Sequence, residues 1–319
     1  MDVDVKKVET LEEALPADVL ELIKNSENIT EVFPVNNGER FSKQVLKADE
    51  IIFQPNATLT FTNGDFPFLI IYCTRWKIKD NRFPIVIELD RTIRNSDGIS
   101  GAKGIEGANG IGEIDRIGQN GSQGGTGTNG TDGGTRNNPT IYLIFKELKC
   151  IDNEQNIEDS KFVLDFDGIN GGNGGDGGEG GNGGNGSNGK QGAMGWLECK
   201  EGPGRGGHGG DSGIGGKGGN GGVGGNASNI NIISNEIDAE VFVNITKFDL
   251  RGGFGGRAGR GGRSGKVGRA GRGGPSNGTC GRGSDGNYGN DANPENLGDG
   301  LDGADGQKGR VFKIEVKNL

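Results

Sequence analysis

Two patterns alternate along this chain. In one, β-branched and aromatic residues recur with period two or in unbroken apolar runs, the pattern of strands. Such segments lie at 51–61, 68–73 (FLIIYC), 83–89 (FPIVIEL), 140–145 (TIYLIF), 161–166 (KFVLDF), 230–233 (INII), 239–245 (AEVFVNI) and 311–316 (VFKIEV). In the other pattern glycine dominates and apolar residues are sparse. Residues 1–45 match neither. They are polar and carry two short helical signals: Thr10 with Glu13 forms a capping box, and Pro16 suits the start of a helix over Ala17–Asn25. This segment reads as an N-terminal arm. Residues 46–319 read as a single all-β body, a solenoid or a sandwich, built from 46–97, 135–167, 226–250 and 310–319.

The glycines that separate the strand segments keep a register of three. Run A holds Gly98, Gly101, Gly104, Gly107 and Gly110; run B runs from Gly118 to Gly133 in the same spacing. Run C (Gly168 to Gly195), run D (Gly204 to Gly225) and run E (Gly253 to Gly274) keep it without exception, and run F (Gly283 to Gly309) keeps it with a break around Pro294. A flexible linker has no reason to hold such a phase, whereas a helix of three residues per turn does. Three readings remain: a collagen triple helix, disorder, or a bundle of polyglycine II helices within one chain. Collagen calls for abundant proline, and the phased stretches hold none. The bundle is favoured, because a helix without internal hydrogen bonds must send its N–H groups to neighbours, and proline would remove a donor.

Runs A/B, C/D and E/F therefore form three hairpins, at 98–134, 168–225 and 251–309. The expected architecture is an all-β body with about six antiparallel polyglycine II helices. The joins 111–117, 196–203 and 275–282 then lie together at the far end, which puts Cys199 and Cys280 within reach of a disulfide. Cys73 and Cys150 sit in or beside strands and read as buried thiols.

Residues 256–274 look at first like the disordered arginine-glycine tract of RNA-binding proteins. Yet Arg257, Arg260, Arg263, Lys266, Arg269 and Arg272 all fall in one phase of three, a regularity such a tract does not need. Asp285, Asp299, Asp302 and Asp305 of run F also share a phase, so the two rows can form an ion ladder. In run C the row from Asn170 to Gln191 reads as a polar face for solvent.

Net charge is −9 and the pI about 4.9, which argues against a general nucleic-acid binder. The four cysteines fit no metal spacing, and the one histidine, His208, reads as a surface side chain rather than a catalytic group. No Gly-Lys pair is followed by Ser or Thr, so no P-loop is present. Asp165 and Asp167 leave room for one loose calcium site. No membrane span, metal centre or cofactor is expected, and no enzyme activity. The start lacks the apolar stretch of a signal peptide; an extracellular or surface-associated location is nevertheless suspected.

Glycine at every third residue in several proline-free runs resembles the polyglycine II proteins, in style the glycine-rich tip adhesins of phage long tail fibres. The β body with six glycine helices also resembles the Obg-fold amino-terminal domain of a GTPase family. The first resemblance implies a rigid bundle whose loops bind a host surface, and neither supplies site residues. The functional expectation is a structural or recognition protein that presents loops to a surface glycan or protein receptor, with residues 1–45 available to an assembly partner. The alternative is RNA binding through the arginine row. On chemical grounds the candidate contact residues are Ile114, Arg116 and Ile117 of the first join and Trp196, Leu197, Glu198 and Lys200 of the second, since an exposed tryptophan beside charged groups is a common binding anchor.

Overall fold

The structure is a computed structural model and describes residues 3–152, 155–292 and 298–319; Pro294 lies outside the described residues. The strands are β1 (Val3–Thr10), β2 (Thr30–Val35), β3 (Glu39–Phe41), β4 (Val45–Phe53), β5 (Thr58–Phe61), β6 (Phe68–Ile78), β7 (Ile85–Leu89), β8 (Glu113–Ile114), β9 (Ile117–Gly118), β10 (Thr140–Cys150), β11 (Phe162–Asp165), β12 (Ala193–Met194), β13 (Cys199–Glu201), β14 (Ile230–Ser234), β15 (Thr246–Asp249) and β16 (Val311–Asn318). Seven of them form a larger sheet in the order β1-β16-β14-β10-β6-β4-β2, and five a smaller one in the order β15-β11-β7-β5-β3. Every pairing in both sheets is parallel.

This corrects the expected fold class of an all-β body with an antiparallel helix bundle. The body is a pair of all-parallel sheets accompanied, among the described residues, by three short α-helices. The physical reason is the path of the chain. Strands of the two sheets alternate along the sequence (β4 then β5, β6 then β7, β10 then β11, β14 then β15), so within these two sheets no strand pairs with its immediate neighbour in sequence and each meets its partners in parallel.

Between the sheets lies an aromatic core. Trp76 stacks on Phe145 with ring centroids 4.8 Å apart and meets Phe53 and Phe242 edge-on at 5.3 Å. Phe242 comes from α3 (Glu236–Asn244), which links β14 to β15. The segment 239–245 thus corrects another expectation, since its apolar pattern reads as a strand. Asn235 caps the helix by accepting the N–H of Asp238 at 3.0 Å, Glu236 and Asp238 favour its N-terminus, and Ala239 and Phe242 turn inward.

Residues 1–45 are not a separate arm. β1 pairs with β16, and β2 with β4. The helices α1 (Leu11–Ala14) and α2 (Ala17–Asn25) cover the outer face of the larger sheet, where Leu15, Val19 and Ile23 cluster with Ile70, Ile144 and Ile233. Thr10 makes no side-chain cap, and Glu13 accepts the N–H of Glu9 instead, at 3.1 Å.

The glycine runs extend this body. Runs A, C and E begin where β7, β11 and β15 of the smaller sheet end; runs B, D and F lead back into β10, β14 and β16 of the larger one. Two layers result, A-C-E and B-D-F. Neighbours within a layer are parallel: the amides of Gly98, Gly101, Gly104 and Gly107 donate in ascending order to the carbonyls of Asn173, Asp176, Glu179 and Asn182, at 2.6–2.7 Å. Only contacts between layers are antiparallel, as where Gly172 donates to Gly134 and Gly175 to Thr131. The register passes unbroken from sheet to slab: the 84-residue offset that pairs Phe162 with Thr246 also brings Asn173 to Arg257.

Run glycines are needed for space rather than for backbone angle, since Gly38, Gly112 and Gly278 are the glycines with positive φ among the described residues. A Cβ on Gly216 would sit 1.9 Å from the Thr128 carbonyl oxygen, and one on Gly177 2.0 Å from that of Gly216. At Gly202, in a join, nothing lies within 4 Å. Gly216→Ala is therefore expected to destabilise the protein by about 2–3 kcal/mol through overpacking, while Gly202→Ala leaves stability unchanged. Thermal or denaturant unfolding of the two variants beside the wild type checks this.

Candidate functional site at the far end of the slab

At the end remote from the sheets the three joins are tied into one platform. In the first, β8 and β9 form a hairpin turning at Asp115 (φ 48°) and Arg116 (φ 71°). Positive φ at both central residues is the twist-matched hairpin geometry, and for non-glycine residues it carries a cost of about 1–2 kcal/mol each. Arg116 is held there by contacts to the second join: its guanidinium pairs with the Glu201 carboxylate and donates to the carbonyls of Gly202 (3.0 Å) and Gln191 (2.5 Å).

The second join is the β12–β13 hairpin. The Gly195 N–H donates to the Glu198 carbonyl at 2.8 Å, which closes a tight turn and leaves Trp196 and Leu197 at its apex. Their exposures, 95% and 80%, are extreme for such large apolar side chains, and Glu198 and Lys200 are exposed beside them. Ile114 and Ile117 of the first join are exposed too. The third join is fastened to the second by a Cys199–Cys280 disulfide and by Asn277 Nδ2, which donates to the Gly192 carbonyl at 3.0 Å. Cys73 and Cys150 are buried and unpaired, and burial pushes both thiols up from the ordinary cysteine range.

The cation row lies elsewhere, along the open face of layer A-C-E. Arg257, Arg260, Arg263, Lys266, Arg269 and Arg272 are exposed. The expected ion ladder with run F is not formed. Asp285, Asp299, Asp302 and Asp305 instead turn to the backbone of run E and accept the amides of Gly273, Gly261, Ala258 and Gly255 at 2.7–2.9 Å. A carboxylate one methylene from the backbone reaches a neighbouring amide more readily than the distant end of an arginine.

The polar row of run C is likewise more than a solvent face. Asn173, Asp176, Asn182, Asn185 and Asn188 accept the amides of Arg257, Arg260, Lys266, Arg269 and Arg272 at 2.7–3.0 Å. Run B serves run D in the same way, with Asn120, Asn129 and Asp132 accepting from His208, Lys217 and Asn220. His208 belongs to this scheme: its Nδ1 accepts the amide of Asn287 at 2.8 Å. The signal was present in the sequence as Asn or Asp in constant phase, but its partner amide lies more than 80 residues away.

Asp165 and Asp167, considered for calcium, pair with Arg91 and Arg251. Among the described residues no cluster of His, Cys, Asp and Glu is placed to hold a metal ion, and no helix is long and apolar enough to cross a membrane.

No family model matches this chain, and no curated protein does. Among solved structures the chain is similar at 23% identity to the springtail antifreeze protein from Granisotoma rainieri, described as a nine polyproline type II helical bundle; 60% of this chain and 96% of that one are covered. The TM-score of 0.11 means that the two do not superpose, so neither fold nor function is carried over.

Two outcomes follow from the site. Cys199→Ser with Cys280→Ser opens a closed loop of 81 residues and is expected to lower stability by about 2–4 kcal/mol, read from unfolding with and without reductant. Asn185→Ala removes the cap on Arg269 and should cost about 0.5–1.5 kcal/mol, whereas Asn185→Asp keeps an acceptor and should cost less; denaturant unfolding distinguishes them.

Proposed function

We propose that this chain is a non-enzymatic recognition protein, in which the glycine slab carries the Trp196–Leu197 apex away from the parallel-sheet body toward a surface glycan or protein receptor. The observation that supports this reading is the pairing of extreme exposure with fixation. A soluble protein rarely spends a tryptophan on solvent, and exposed aromatic residues on rigid supports are the usual energetic centres of contacts. Here the apex stands on a hairpin fastened by a disulfide on one side and by Arg116 on the other. The resemblance to glycine-rich tip adhesins points the same way.

A second reading, binding of single-stranded RNA, rests on the exposed cation row, none of whose six side chains is in an ion pair among the described residues. Against it stand carboxylates on both sides: Asp176 and Glu179 in the otherwise uncharged row of run C, and the aspartates of run F.

Binding of labelled protein to a glycan array, to intact cells and to single-stranded RNA tests both readings. Under the first, Trp196→Ala reduces attachment by about 30-fold or more, the loss typical of a binding hot spot, and leaves Tm unchanged. RNA binding that weakens steeply with salt and disappears in Arg260→Glu/Arg263→Glu, with the Trp196 variant unaffected, would replace it by the second.

A further inference from the structure

The two edges of layer A-C-E are complementary, and one of them is sealed. In layer A-C-E each run uses the same backbone position to donate to the next. Gly98 to Gly107 of run A donate to carbonyls of run C, and Gly168 to Gly189 of run C donate to the carbonyls from Arg251 to Arg272 of run E. Run E is the last in the layer, so the equivalent amides, among them those of Gly255, Ala258 and Gly261, have no following run. They are occupied instead by Asp305, Asp302 and Asp299 from run F.

At the other edge, run A presents the carbonyls of Asp97, Ser100, Lys103, Glu106 and Asn109, which hold the position of Asn173 in run C and accept no hydrogen bond from the described residues. A second copy could therefore lay its run A against run E of the first, with carbonyls meeting amides as they do inside the layer. Such a contact is head-to-tail, so it would propagate into a ring or a filament. Edges of this kind are ordinarily blunted by charge.

We propose that Asp299, Asp302 and Asp305 guard the run E edge: by occupying its amides they keep layer A-C-E at three runs and prevent edge-on addition of a second copy. The cation row reinforces the guard. In the place where Asn173, Asp176, Asn182 and Asn185 of run C cap the following run, run E carries Arg257, Arg260, Lys266 and Arg269, side chains with no acceptor to offer. The inference does not depend on what the far-end joins bind.

The test compares the wild-type chain with Asp299→Ala/Asp302→Ala/Asp305→Ala and with the corresponding triple Asn variant, by sedimentation over a concentration series. The Asn variant keeps an acceptor at each position and loses only charge. The expected result is a monomer for wild type and Asn variant, and concentration-dependent higher species for the Ala variant. An Ala variant that folds and stays monomeric overturns the proposal, as does an Asn variant that associates equally. Amide exchange on the wild-type protein covers the case in which the Ala variant fails to fold. The amides of Gly255, Ala258 and Gly261 should exchange about tenfold more slowly than that of Tyr288 on the outer edge of run F, the protection given by a hydrogen bond of ordinary net strength; equal rates overturn the proposal.

Discussion

In the glycine slab a carbonyl oxygen of one run stands where the Cβ of the next would be. Built on Gly175, Gly216 or Gly256, that Cβ would fall 1.9–2.2 Å from such an oxygen. No side chain relieves the conflict, because backbone meets backbone. The same approach brings glycine amides within 2.6–2.9 Å of carbonyls between runs A, C and E, and those cross-links are the bonding such extended segments have, since they form none internally. Glycine loses more conformational freedom on folding than any other residue. The slab is therefore stable only as an array, in which each run orders its neighbours.

A three-residue repeat leaves amides that glycine packing does not satisfy, and the protein meets them with side chains. Asn and Asp of one run reach the amides of the next in the layer, through runs A to C, C to E, B to D and D to F. Where no Asx residue serves, Thr128 and Thr131 hydroxyls do so for run A, and His208 for run F. The polar composition of the faces is thus tied to backbone bonding as much as to solubility.

The sheets set the geometry of the slab. Because the strands of each sheet are parallel, the runs that continue them are parallel within a layer, and the alternation of the chain between sheets makes the two layers opposite in direction. The joins are gathered at one end for the same reason. Fixed there by Arg116 and the Cys199–Cys280 bridge, the Trp196–Leu197 apex sits at the end of a construction whose other end is anchored in an aromatic core around Trp76.

The strand segments around FLIIYC and TIYLIF, and the phase of the glycines, are local patterns, and the sequence by itself determined them: side-chain alternation and the exclusion of proline act over a few residues. The partners of those segments were a tertiary decision. Whether β6 pairs with β7 or with β4 and β10 depends on contacts distant along the chain, and so the parallel fold class is not legible in the local pattern. The apolar pattern of 239–245 suited strand and helix alike, until the Asn235 cap and the place of Phe242 beside Trp76 chose the helix. In the candidate site, the exposed Trp196 and the single phase of the cations could be read directly. The engagement of Asp302 by the Ala258 amide rather than by an arginine could not, because it depends on which run lies beside run E and on how far each side chain reaches.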